Sequence, residues 1–530
     1  MSAKVLARTV VAAAALAMVT LVAPPARSVA LGATSNPLAG GTTTTLASGV
    51  TLTELTTGSE TSFFWTVHVY VPAEPDGPIN TANTGLGPRP TAERVAEALT
   101  AKGFTPRVER VDLPAFADGP AQPLGWTVRV GAYASQADAT TTYNAIRAAG
   151  FRGQVRWTGG DGDPGALQHM YVVRVDFTKF NGTVASETGP SPALNELDHL
   201  SDIVPAYHAL AGINTQWFYN KAPGGLYVKD GKVLSAATQG RGGVAITRGG
   251  KGIDVATYRS TTTLYTAGSA VPVDGINRVP GQVWNCGGIG GDQPTEHPMH
   301  DIMCIDPSEL LEFTPEWKDT PSGPGTEVVL DAKHRVTAVN ETRGTTVPAT
   351  GSTIQGTGDD ANWLAAHVHT GDTVRVETAV TDGSGRRVPL TRTTTIIQTG
   401  PTLVRDGRVS VDAYADGIIH SASDVGDEGT DQTFTYNWTV RGNPRSAIGV
   451  DAQGRLLLVA VDGRQPGYSE GVSIEEEAQI MHRLGAVQAL NFDGGGSTVM
   501  VTGAAGIVNH PSDATGEREL GNPILVEPRR

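Results

Sequence analysis

The sequence predicts an α+β protein, in which a strand-rich, mixed-sheet domain follows a small ferredoxin-like βαββαβ module. Two observations carry that expectation. The chain has 65 glycines and only 6% aromatic residues in 530 positions, a composition suited to strands broken by frequent turns. Between Trp65 and Trp157 a strand, helix, strand pattern occurs twice in succession, while between Gly281 and Ala379 β-type runs such as TEVVLDAKHRVTAVN and DTVRVETAV alternate with glycine turns.

The length allows two or three domains. Residues 1–30 read as a signal peptide: Lys4 and Arg8 start it, Thr9 to Ala23 is apolar, and Ser28-Val29-Ala30 has the small-residue character of a cleavage site. The apolar run is short for a transmembrane span, so no stable membrane span is expected after cleavage, the alternative being an uncleaved anchor. A secreted or cell-wall-associated protein follows. Residues 31–60, rich in Thr, Ser, Ala and Gly, read as a linker, 61–178 as the small module, 179–195 as a second linker and 196–530 as the large domain.

In the first half of the repeat, WTVHVYV (Trp65 to Val71) leads to the helical stretch TAERVAEALTAKGF and the strand TPRVERV. In the second, WTVRVGAY (Trp126 to Tyr133) leads to SQADATTTYNAIRAAGF and RGQVRW. Gly103 and Gly150 mark the two helix ends. With a last strand YVVRVDF (Tyr171 to Phe177), the repeat resembles the SPOR domain, a module that in bacteria binds peptidoglycan glycan strands. The resemblance implies peptidoglycan as a partner; a ferredoxin-like packing module without a ligand explains the same pattern.

The net charge of −14 and pI near 5.3 argue against nucleic acid as a partner, since phosphate backbones are held by clustered Lys and Arg. Any phosphate on a substrate must then be gripped locally by a few arginines. The two cysteines, Cys286 and Cys304, are expected to form one disulfide stapling a glycine-rich loop, worth about 3 kcal/mol on the chain-entropy model. Asp292, Glu296, His297, His300 and Asp301 lie between them, but their spacing matches no ligand signature, and no metal or other cofactor is predicted.

The most informative stretch is NFDGGGSTVMV, Asn491 to Val501. Gly494, Gly495 and Gly496 free the backbone to approach an anion or a sugar oxygen, with Asp493 and Ser497 on either side. Before them AVQALNF reads as a buried strand, preceded by the helix Ser473 to Leu484, which Ser473 caps, Glu475, Glu476 and Glu477 favour at its start and Gly485 ends. A hairpin with a capping aspartate is the plain alternative.

RSAIG (Arg445 to Gly449), DGRQPGYS (Asp462 to Ser469), NFDGGGS and NHPSD (Asn509 to Asp513) together resemble the phosphodiester glycosidase family, whose animal member removes N-acetylglucosamine from a sugar-1-phosphodiester. The likeness is closest over Asn443 to Arg518 and extends more weakly from Tyr207 onward. It implies a carbohydrate phosphodiester substrate and an oxocarbenium-like transition state that a carboxylate stabilises or traps. Asp493 is the leading catalytic carboxylate and Asp462 its partner, while Asp513 either acts in catalysis or orients Arg518. Arg445, Arg464 and Arg518 are candidates for the phosphate, because a guanidinium donates two parallel hydrogen bonds. Asn214, Ser497, Asn509 and the amides of Gly494, Gly495 and Gly496 would hold sugar or phosphate oxygens. Around Asn214, Thr215, Gln216 and Trp217 replace part of the family's glycine-rich stretch. Joining both resemblances gives a hydrolase of sugar-1-phosphate linkages in the cell envelope; a non-catalytic wall-glycan binder and an ordinary α-glycosidase are the competing readings.

Overall fold

A computed structural model describes residues 38–59, 63–72, 74–190, 193–237, 240–284, 293–294, 303–416, 419 and 433–529. The chain divides into two units, Met1–Ala39 and Gly40–Arg530, and every described strand and helix lies in the second. The expected signal peptide, Cys286 of the expected disulfide and the acidic and histidine residues between the cysteines lie outside the described residues. No helix among the described residues is long and apolar enough to cross a membrane.

The stretch expected as a linker over 31–60 instead supplies strands β1 (Thr42–Ala47) and β2 (Val50–Thr57). Threonine is β-branched and suits a strand as well as a linker; Val50 and Leu52 bury one face of β2 and Leu55 is buried on the other. Likewise Gly182–Ser186, inside the second expected linker, forms a strand paired with Ile524–Pro528.

The duplicated segment folds as β3 (Trp65–Val69), α1 (Arg89–Ala101), β4 (Pro106–Leu113), β5 (Gln122–Tyr133), α2 (Gln136–Ala148) and β6 (Gly153–Trp157). Its sheet runs β4-β5-β3-β6, antiparallel throughout, the order of a ferredoxin-like βαββαβ unit. Val67, Val69, Val128 and Val130 pack with Val95, Leu99 and Ile146 of the helices. Gly103 and Gly150 have φ of 87° and 95°, left-handed positions that end α1 and α2. The alternate side chains of this sheet, Thr66, His68, Thr127, Arg129 and Arg156, are polar yet buried, so this face is also covered.

The strand read as the last of the repeat, β7 (Gln168–Val175), is in the large sheet, not this one. It lies between β2 and β9 in an eight-stranded antiparallel sheet built also from β8 (Arg445–Asp451), β9 (Leu456–Val461) and β10 (Ala486–Asn491). LLLVAV in β9 is buried along its whole length, as a strand covered on both faces must be. Leu456, Leu458 and Ala460 join Val173, Ile448 and Leu490 in the main core. The helix α3 (Ile474–Arg483) covers the other face, and a Cβ on Gly449 would come 2.7 Å from Met481 Cε, so glycine allows the helix its close approach. Elsewhere, Gly275–Ile276 runs parallel to Leu310–Phe313, making that five-stranded sheet mixed.

Candidate active site

The end of β10 and the turn after it are tied to two neighbouring segments by backbone hydrogen bonds. Phe492 N donates to Ser446 O at 2.7 Å, Asp493 N to Thr215 O at 2.6 Å and Gly495 N to Pro444 O at 2.9 Å. Gly495 has φ of 62°, and Gly495–Ser497 forms a single 3₁₀ turn that delivers the chain into β11 (Met500–Thr502). The Asp493 carboxylate accepts from Gly494 N at 2.9 Å and from the Ser497 hydroxyl. Burial pushes the Asp493 carboxyl above the usual aspartate range, while Ser497, Gly494 and the charges of Arg518 and Arg445 pull the other way. Two of the three glycine amides expected to cradle the substrate are therefore already committed, Gly494 to Asp493 and Gly495 to Pro444.

Around this turn the structure gathers most of the predicted residues. Built onto Gly496, a Cβ would meet the Asp513 carboxylate at 2.4 Å; on Gly495 it would meet Arg464 Nη1 and Nη2 at 3.1 Å. The turn thus lies flush between an acid and a guanidinium, which explains glycine at both positions. Arg518 Nε donates to Asp513 Oδ2 at 2.5 Å. Arg464 is exposed, has φ of 59°, and donates from Nε and Nη2 to Asn443 Oδ1 at 3.1 and 2.9 Å.

Four predicted residues have another place. Asp462, expected as a second catalytic carboxylate, is fully buried; it accepts from Asn509 Nδ2 at 3.0 Å, His510 N at 3.0 Å and Tyr468 Oη at 3.3 Å, and so anchors the NHPSD loop from behind. Asn509 itself accepts from Met500 N at 2.8 Å and donates to Thr498 O, a loop staple and not an open ligand. Arg445, expected on the phosphate, is 1% exposed. It donates to the carbonyls of Val472 and Trp438, its guanidinium lies 4.9 Å from the Trp438 ring, and burial lowers it to about 10. Asn214 donates to Asp493 O at 2.7 Å and accepts from Ser446 Oγ at 2.6 Å and Val499 N at 3.1 Å. With its amide thus occupied it fixes the backbone of the glycine turn, and the neighbouring Gln216 donates to Gln398 O and accepts from Asn522 Nδ2.

Sequence reasoning missed Asn443, which donates to Asn437 O and Arg441 O while receiving Arg464. It missed Ser446, inside the RSAIG motif, and Glu477, which is buried beside Arg445 with both carboxylate oxygens unpaired and is raised to about 8 by burial. The one available signal was the position of Asn443 at the head of the motif run. Behind the NHPSD loop, Tyr468 is stacked between His169 and His510 at ring distances of 4.1 and 4.6 Å. Among the described residues no group of three or more His, Cys, Asp or Glu is placed to hold a metal.

Residues 324–527, which include the turn and every residue just placed from Arg445 to Arg518, match the phosphodiester glycosidase family model. A bovine N-acetylglucosamine-1-phosphodiester alpha-N-acetylglucosaminidase is 34% identical over 87 residues, which are 16% of this chain and 16% of the relative. The chain matches less than a quarter of the length of such curated relatives. A crystal structure of a protein from Burkholderia pseudomallei K96243, described as exported, is 30% identical with a TM-score of 0.80, covering 92% of this chain and 96% of that one. A Synechocystis structure of 16% identity and TM-score 0.52, covering 92% of this chain and 75% of its own, shares the fold.

Proposed function

We propose that this chain, which belongs to one family with the Burkholderia exported protein and matches the phosphodiester glycosidase family over residues 324–527, is an exported hydrolase of sugar-1-phosphodiesters. The single observation that supports this best is the Asp493 carboxylate held at a glycine turn, flanked by the exposed Arg464 guanidinium on one side and the Asp513–Arg518 pair on the other. A carboxylate serves the sugar half of the bond and guanidinium the phosphate half, the two chemical needs of such a substrate.

In this reading Asp493 stabilises or traps the oxocarbenium-like centre at the anomeric carbon. The phosphate departs as a weak base, so electrostatic stabilisation by Arg464 and Arg518 matters more than proton delivery. Ser497 and the Gly494 amide orient Asp493, Asn214 holds its backbone, and Asp462 and Asn509 position the loop that carries Asp513. The substrate class is the N-acetylglucosamine-1-phosphate type, and a cell-envelope glycopolymer joined through such a bond is the natural substrate we favour, with the small module retaining the enzyme on peptidoglycan.

Hydrolysis of a nucleotide-linked N-acetylglucosamine, following free sugar and phosphate product separately, tests the chemistry. The protein is expected to release both, and Asp493→Asn to lose at least about 100-fold in kcat. Equal rates for the two proteins, or a preference for a neutral aryl glycoside, would overturn the reading. The envelope substrate falls if purified walls neither retain the protein nor yield released sugar.

A further inference from the structure

The segment Tyr436–Val440 of the large domain lies against the polar face of the small module's sheet. It is one turn of π-helix, closed by Arg441 N donating to Tyr436 O at 3.0 Å. Arg156 of β6 donates from Nη2 to Asn437 Oδ1 at 3.0 Å, with its guanidinium 5.5 Å from the Tyr436 ring, and Arg129 of β5 donates from Nη2 to Tyr436 Oη at 2.9 Å. Arg156 is 7% exposed, and its Nη1 has no hydrogen-bond partner among the described residues. An apolar side chain would fill that place at less cost in desolvation, so what the arginine adds is a fixed donor to Asn437.

Carbonyls in the last turn of a helix need partners from outside it, and here a side chain from the candidate active site supplies them. Asn443 Nδ2 donates to Asn437 O at 2.8 Å and to Arg441 O at 3.0 Å. Asn443 is buried, and its backbone exchanges hydrogen bonds of 3.0 and 2.9 Å with Val472. The two carbonyls require the amide's nitrogen, which leaves its oxygen to face Arg464, whose Nε and Nη2 donate to it at 3.1 and 2.9 Å. Nη1 and Nη2 of Arg464 lie 3.1 Å from a Cβ built on Gly495, so the place of this guanidinium against the glycine turn follows from the place of the amide. Arg156 thus reaches Arg464 through two asparagines, with a hydrogen bond at every junction. The module also holds the loop on which Arg464 stands: Trp157 Nε1 donates to Glu470 Oε2 at 2.8 Å, while Gly467 N donates to Glu470 Oε1 at 3.3 Å.

We propose that Arg156 of the small module is a positioning residue for Arg464, acting through Asn437 and Asn443, and so sets the affinity of the site for the phosphate half of its substrate. This rests on the phosphodiester reading above. It makes the module a working part of the hydrolase as well as a neighbour of its active site.

The test uses the full chain with Arg156→Gln, Arg156→Lys, Arg464→Gln and the double variant Arg156→Gln/Arg464→Gln, each checked for a cooperative melting transition. Calorimetric binding of N-acetylglucosamine 1-phosphate and of free N-acetylglucosamine is compared, together with hydrolysis of nucleotide-linked N-acetylglucosamine by the parent. Arg464→Gln is expected to weaken the sugar phosphate about tenfold or more and Arg156→Gln about threefold or more, with Arg156→Lys nearer the parent. Free sugar should change less than about twofold in each. In the double variant, Arg156→Gln should add less than about 1.5-fold to the loss caused by Arg464→Gln, because a residue that acts through another has nothing left to position once that one is gone. Equal weakening of both ligands by Arg156→Gln, weakening of neither, or additive losses in the double variant overturns the proposal. If Arg156→Gln fails to fold, Asn437→Ala, which removes the acceptor and leaves the backbone carbonyl in place, decides by the same comparisons. A parent protein that neither hydrolyses the substrate nor binds the sugar phosphate removes the phosphodiester reading and this inference with it; a parent that does both, with additive variants, removes this inference alone.

Discussion

A carboxylate whose proton affinity is raised by burial reports its ionisation in the rate. Asp493 is raised above the ordinary aspartate range, and the proposed role needs its charged form. Activity should therefore rise with pH through an acidic limb whose midpoint exceeds the usual value of about 3.9, and Ser497→Ala, which removes a donor to that carboxylate, should move the limb further up. A limb unmoved in Ser497→Ala would detach Asp493 from it. Glu477 gives a stability prediction at the same scale. Its folded value near 8 stands above the ordinary 4.5, so the neutral form is the one the fold favours. The stabilisation is complete below about 4.5 and is lost as pH rises through about 8, a change of a few kcal/mol. Glu477→Gln should flatten that dependence, leaving stability near the parent's at pH 5 and above it at pH 9, as denaturant unfolding at the two pH values will show.

Among elements, α3 is the one whose sequence signals and geometry agree most closely. Ser473 Oγ accepts from Glu476 N at 3.2 Å and Glu476 Oε2 accepts from Ser473 N at 2.7 Å, a capping box with three acids in the first turn. Because α3 covers the strands that lead to Asp493 and carries Glu477 beneath Arg445, Ser473→Ala should cost about 1 kcal/mol of stability and leave KM unchanged. A changed KM would mean that the cap also sets the site. Strands were legible where the run is apolar and largely buried, as in AVQALN. They were missed where threonine-rich composition read as linker, in β1 and β2, because partner strands and not local propensity decide such segments. The glycine turn was legible as a close approach, but which atoms approach it was not: Asp513 and Arg464 reach it from loops far along the chain.

At the scale of the whole molecule, the module and the large domain share buried charges, so they should unfold together. Almost fully buried Arg129 donates to Asp161 of the module at 2.6 Å and to Tyr436 of the large domain at 2.9 Å, and Asp161 in turn lies 3.4 Å from Arg441 Nε of the large domain. Arg129→Ala should cost about 3 kcal/mol and shift one common transition, followed by fluorescence and by circular dichroism. Two separated transitions in the parent would show an independent module. The covered polar sheet face also bears on the proposed peptidoglycan partner, since a glycan would then meet the helices or an edge strand, β4 or β6.

The sequence by itself determined the strand-rich class, the repeat that folds as a βαββαβ unit, the capped helix and the turn around Asp493, because each is written in periods, caps and glycines local to the chain. Only the tertiary structure decided which charged residues face solvent at that turn. Asp462, Asn509 and Asn214 are committed to backbone groups brought from up to 285 positions away, and Arg445 is buried beneath the turn. Hydrogen-bond partners and burial are long-range properties, and a motif names a residue without saying which of its bonds the fold has already made.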